Sequence, residues 1–156
     1  MVDNNNGKIL LTKQGLKNLQ DEYDRLAKKR PQIVERVEEA RQQGDLKENA
    51  EYQTSREELT FIDGRLEELK SVLERAVVAE QKNNCQEVAL GCKVTVGVND
   101  DKHAFHLVGE WEADPAERKI SHQSPLGQAL MGRKTGDEVE VEVPAGKLSY
   151  KILSID

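Results

Sequence analysis

Long hydrophobic runs are missing from this 156-residue chain. No stretch approaches the roughly 20 apolar residues that a bilayer span requires, and the polar, Asn-rich leader from Met1 to Gly7 has none of a signal peptide's apolar core. The expectation is a cytoplasmic protein with no membrane partner. Aromatic residues are scarce at 4%, with Trp111 the single tryptophan, so no aromatic-lined pocket is legible. Hydrophobic residues reach 37% against 33% charged, and mean hydropathy is −0.72, which argues against a large compact core and for a lean, elongated part. Excess positive charge is also absent. A net charge of −6 and a pI near 5.2 argue against a whole surface wrapped on a nucleic-acid backbone, so any such contact is local. Cysteine is limited to Cys85 and Cys92, expected as free thiols in a reducing cytosol. With His103 and His106 they supply four candidate zinc ligands, but their spacing fits neither C-x2-4-C nor H-x3-5-H.

What the chain does have is periodicity. After an apolar Ile9-Leu10-Leu11 segment, expected to pack on the first helix, Thr12 is an N-cap candidate. Leu16, Leu19, Tyr23, Leu26, Arg30, Ile33, Val37 and Ala40 then fall at alternating three- and four-residue steps, a heptad seam with Arg30 as its polar member. Pro31 predicts a kink or short break near Lys29 and Arg30. Tyr52, Ser55, Leu59, Ile62, Leu66, Leu69, Leu73 and Ala76 repeat the steps. Two stripes joined by a handful of residues predict an antiparallel coiled-coil hairpin, each arm about 45 Å long.

Beyond the polar Glu80 to Asn84 linker the period changes to two. Lys93 to Val98 alternates as a strand, Asn99 to Asp101 turns, and Ala104 to Val108 returns; Glu138 to Val143 alternates until Pro144, Ala145 and Gly146 turn the chain into Leu148 to Ile155. Ser124 before Pro125 starts a short helix that runs through Leu130 and stops at Gly132. The fold class is therefore α followed by α+β: an antiparallel coiled-coil hairpin over 1–79, then a small antiparallel-sheet domain with one short helix over 80–156.

Between the two stripes, Gly44 suits the positive φ of a helix C-terminus, and Asp45 is a turn former and an N-cap candidate for the returning helix. If Asp45 caps or begins that helix, Glu48 shares its face three residues on. Two carboxylates at an exposed tip are too few for a private metal site, but suffice for half of a magnesium site completed by another molecule and its phosphates. The same pair also reads as a helix cap and a favourable first-turn charge. Arg41 and Arg56 flank the turn with guanidinium groups suited to phosphate, and each also reads as a solvated charge on a charge-rich helix.

The run Ala40-Arg-Gln-Gln-Gly-Asp-Leu-Lys-Glu-Asn-Ala-Glu-Tyr52, with Ser124-Pro-Leu-Gly-Gln-Ala-Leu-Met-Gly132 and the closing segment from Gly136 to Ile155, closely resembles the bacterial Gre transcript cleavage factors. The match covers nearly the whole chain in order. This resemblance implies a transcription elongation factor that binds bacterial RNA polymerase, inserts its coiled coil into the secondary channel and stimulates cleavage of the 3′ end of backtracked RNA. It implies Asp45 and Glu48 as the catalytic pair, holding a second Mg2+ jointly with the polymerase and none tightly alone. It implies Arg41 and Arg56 as contacts to the nascent RNA 3′ end, Gly44, Asn49 and Tyr52 as supports of the tip, and Ser124 and Pro125 as part of a polymerase-docking surface. The family's second domain resembles FK506-binding proteins, and that likeness of fold does not transfer prolyl isomerase activity. Sparse basic residues around Arg56 resemble the A subtype more than the B subtype. No independent nuclease activity and a monomer are expected; the alternative is a noncatalytic secondary-channel inhibitor of the polymerase.

Overall fold

A computed structural model of the chain describes residues 7–80 and 84–156. Helix α1, Lys13–Gln42, begins where the Thr12 hydroxyl accepts the Gly15 amide at 3.0 Å, the N-cap expected from the sequence. It continues without interruption through Pro31, so the predicted break near Lys29 and Arg30 is absent. Pro31 is exposed, while Leu26 and Ile33 on either side are buried in the seam. The lost amide donor therefore falls on the solvated face, and packing on the other face carries the helix through. Helix α2 spans Ala50–Arg75.

The chain divides into two compact units, Lys17–Arg75 and the N-terminal residues to Leu16 joined with Ala76–Asp156. In the helical unit Leu19, Leu26, Ile33 and Ala40 recur every seven residues and are buried, as are Ser55, Ile62 and Leu69 on α2. Tyr23, Val37, Tyr52, Leu59, Leu66 and Leu73, the other expected seam positions, are half-buried. Two helices alone enclose one column of the seam and leave the second at its rim. Val72 is buried as well, because a 3.6-residue helix drifts against a seven-residue repeat. Each fully buried Leu or Ile contributes about 1.5–3 kcal/mol, and this column supplies most of the unit's cohesion.

Ion pairs along the flanks show the direction of the return. Arg65 binds Glu22 at 2.8 and 3.1 Å, Glu58 receives both Lys29 at 2.7 Å and Arg36 at 3.0 Å, and Arg30 forks onto Asp63. Numbers rise along one helix as they fall along the other, so the pair is antiparallel. Arg30, the polar member of the seam, is exposed and meets its partner outside the apolar column.

Three corrections concern the other unit. Ile9–Leu11, expected only as an apolar segment, is strand β1 and pairs in parallel with strand β2, Ala76–Val78. Ala76 thus leaves the helical seam, and its β-branched successors Val77 and Val78 take the extended geometry they favour. Cys85 and Cys92 are not free thiols: they form a disulfide with Cα atoms 6.4 Å apart, because the segment curls back so that Cys92 N bonds Ala89 O. Both sulfurs are consumed, and zinc ligation with His103 and His106 is unavailable to them.

Strands β3 Lys93–Val98, β4 Asp101–Val108, β5 Lys119–Ser121, β6 Glu138–Val143 and β7 Gly146–Ile155 form one sheet in the order β5-β4-β3-β7-β6, antiparallel except where β5 joins β4. The β3–β4 turn is tighter than expected. Asn99 and Asp100 sit at φ 49° and 67°, the two-residue turn that suits strand twist, so β4 begins at Asp101 and not at Ala104. Val94, Val96, Leu107, Val139 and Ile152 from the sheet meet Val88 and Leu130 in the core. Leu130 comes from helix α3, Pro125–Leu130. A second anchor holds the start of α1: the Glu112 carboxylate accepts from Thr12 N at 2.9 Å, Gly109 N at 3.0 Å and the Thr12 hydroxyl. A Cβ at Gly15 would fall 2.0 Å from Glu112 Cδ, so a larger residue there would displace the carboxylate from Thr12. No helix among the described residues is long and apolar enough to cross a membrane.

Candidate functional site

The loop from Gln43 to Asn49 closes the helical unit. Gly44, at φ 149° with open space where a Cβ would be, releases the chain from α1. Of the two roles open to Asp45, it takes that of turn former and does not cap α2. Its Oδ1 accepts from Lys47 N at 3.1 Å while its carbonyl accepts from Glu48 N at 3.2 Å, a turn closed within the loop. Aspartate competes for local amides so effectively that it makes its own turn before the helix begins.

Asn49 is the cap. Its Oδ1 accepts from Tyr52 N at 3.1 Å, its carbonyl accepts from Gln53 N at 3.1 Å, and its Nδ2 donates to Ala40 O at 2.6 Å. Ala40 lies in the last turn of α1, where carbonyls lack helical donors. One amide side chain thus caps the second helix and ties off the first, a task aspartate cannot do because it has no donor. Gln53 Nε2 adds a bond to Lys47 O at 3.2 Å. Tyr52 is half-buried in the first turn of α2.

The turn brings Asp45 and Glu48 together, with Cα atoms within about 7 Å as a four-residue turn requires. Both carboxylates are exposed. Hard oxygen donors of this kind suit magnesium, and two of them with one oxygen already engaged leave most of its coordination to others. No group of three or more His, Cys, Asp or Glu side chains placed to hold a metal occurs among the described residues. The donor set fits a shared ion.

Arg41 lies exposed in the last turn of α1, and Arg56 lies exposed on α2, about 9 Å along the axis from its start. Neither has a carboxylate within 4.0 Å among the described residues, whereas Lys29, Arg30, Arg36 and Arg65 on the same helices are paired. Ser124 and Pro125 lie in the other unit. Ser124 caps α3, accepting from Gly127 N at 3.0 Å and donating to Ser121 O at 2.6 Å, and Pro125 is its exposed first residue. Sequence reasoning passed over Phe61, which is 71% exposed on α2 beside Arg56, Gln53 and Thr60. Its signal was legible: Phe61 precedes seam residue Ile62 and so falls off the apolar stripe.

Residues 9–78 match the family model described as transcription elongation factor, N-terminal, and residues 82–156 match the one described as transcription elongation factor, GreA/GreB, C-term. The chain is 45% identical over 152 residues to transcription elongation factor GreA of Thermodesulfovibrio yellowstonii, covering 95% of this chain and 96% of that protein. It is 43% identical over 153 residues to GreA of Thermoanaerobacter pseudethanolicus, covering 94% and 96%. Against GreA of Caldanaerobacter subterraneus subsp. tengcongensis the identity is 42% over 151 residues, with 94% and 96% covered.

Proposed function

The chain belongs to the GreA/GreB family of transcription elongation factors, and from this premise we propose that it binds bacterial RNA polymerase and stimulates cleavage of the 3′ end of backtracked RNA. It does so in the cytoplasm, as a monomer, and is not itself a nuclease. The observation that carries the reading is the closed turn presenting Asp45 and Glu48 outward from the end of a two-helix unit.

In this reading the helical unit enters the secondary channel and the turn completes a metal centre in the polymerase. Magnesium, when bound there, supplies Lewis-acid activation of water and support of the leaving oxygen. Asp45 and Glu48 contribute carboxylate oxygens to hold that ion and orient the attacking water. Asn49 keeps the turn in register by fixing both helix ends. Arg41 and Arg56, free of acidic partners among the described residues, hold phosphates of the extruded RNA. Ser124 and Pro125 form part of the surface that docks on the polymerase.

The test is a stalled, backtracked complex read for short 3′ RNA fragments with and without the protein. Asp45→Ala is expected to reduce stimulated cleavage about 100-fold with polymerase binding retained. Full cleavage by that variant would refute the catalytic assignment, and inhibition by the wild type without cleavage would favour a plug.

A further inference from the structure

We infer that Phe61 is a stacking platform for a base of the extruded RNA, making α2 a reader of how far the transcript has backed out; this rests on the function proposed above. Single exposed apolar side chains are common on protein surfaces, so exposure alone decides nothing. Three further observations do. The two tyrosines of the helical unit, Tyr23 and Tyr52, are half-buried at seam positions, whereas Phe61 turns 71% of its surface to solvent. It shares a shallow, open depression of about 570 Å3 with Gln53, Arg56, Glu57 and Thr60. Arg56, the one cation of that lining, has no carboxylate within 4.0 Å among the described residues.

Those five residues recur at three- and four-residue steps, so they occupy one side of α2. Phe61 lies about 7.5 Å along the axis from Arg56 and about 140° round it, so the two long side chains bracket the depression, with a phosphate on the guanidinium and the base of a neighbouring nucleotide on the ring. Aromatic rings beside arginines are how proteins hold single strands without reading sequence, and extruded RNA offers unpaired bases.

Position makes the effect depend on length. Phe61 is about 16 Å along α2 from Ala50, so only transcripts displaced by several nucleotides reach it when the scissile bond is at the acidic turn.

The experiment measures single-turnover cleavage at saturating factor on polymerase complexes backtracked by increasing lengths. It uses wild type, Phe61→Ala and Phe61→Trp, and repeats the longest complex with an abasic site in the extruded RNA. Phe61→Ala is expected to slow cleavage about 5- to 100-fold on long extrusions, to leave the shortest unchanged and to lose its defect on the abasic RNA. Phe61→Trp is expected to restore the rate. An equal defect at every length, no defect at any, or a change only in the factor concentration needed for half-maximal cleavage would overturn the inference, the last indicating contact with polymerase. Wild type failing to stimulate cleavage of any complex would sink the parent reading as well; wild type and Phe61→Ala both fully active would sink this inference alone.

Discussion

Asn49 shows how little separates a structural from a broken turn. Its acceptor serves Tyr52 N and its donor serves Ala40 O, so the two ends of one amide have opposite requirements. Asn49→Asp retains the acceptor but sets a carboxylate against a carbonyl. We expect it to lower the stability of the hairpin by about 1–2 kcal/mol, read as a lower urea midpoint by far-UV circular dichroism. Cleavage should fall with it even though Asp45 and Glu48 are untouched. If the variant is as stable as wild type, the double-capping role is wrong. The residue types of this turn were legible in the sequence, but their division of labour was not. Asp45 and Asn49 are both cap formers, and only coordinates reveal that the first spends its side chain on Lys47 N while the second takes the helix.

At the scale of the element, periodicity was the dependable guide. The seven-residue recurrence of Leu19, Leu26, Ile33 and Ala40 on one arm and of Ser55, Ile62 and Leu69 on the other was visible in the letters, and burial follows it. Signals that act through a single residue were less dependable. Pro31 predicted a kink or a short break, of which packing on the opposite face prevents the break, and Ala76 continued a stripe that the chain abandons for pairing with Ile9. A proline inside a helix costs about 3 kcal/mol, and a long apolar column outweighs it. Pro31 therefore carries a cost that the helix tolerates. Pro31→Ala is expected to stabilise the helical unit by about 1–3 kcal/mol, seen as a raised melting temperature at 222 nm. A decrease would show that the proline has a packing role invisible in its exposed position.

Across the whole molecule, the two compact units have different vulnerabilities. Acid acts on the helices. The Arg65 hydrogen bond holds the Glu22 carboxyl below its usual range, and Lys29 does the same for Glu58. A depressed carboxylate contributes stability above its unfolded pKa, near 4.3, and loses it as pH falls through the lower folded value. Acidification from about pH 5 downward should therefore loosen the helical unit. Both groups sit half-buried at the flanks of the helix pair, within reach of solvent, so the effect is modest and salt weakens it. A pH titration of helicity tests this, and Glu22→Gln should flatten the acid limb. Reductant acts on the sheet unit instead. Opening the Cys85–Cys92 bridge frees a short loop and should cost that unit about 2–3 kcal/mol, with the helical transition unmoved. The pairing was not legible from two cysteines alone, because it depends on a chain reversal that their spacing does not announce.

The Glu112 carboxylate that receives Thr12 stands one hundred residues downstream of it. On the ribosome, the amide and hydroxyl opening α1 must wait for their acceptor until most of the polypeptide has been made, while the seam from Leu19 to Leu69 has all its members at hand far earlier. The opening of α1 is thus fastened to Glu112 after the seam beyond it, and the order of birth is not the order of assembly.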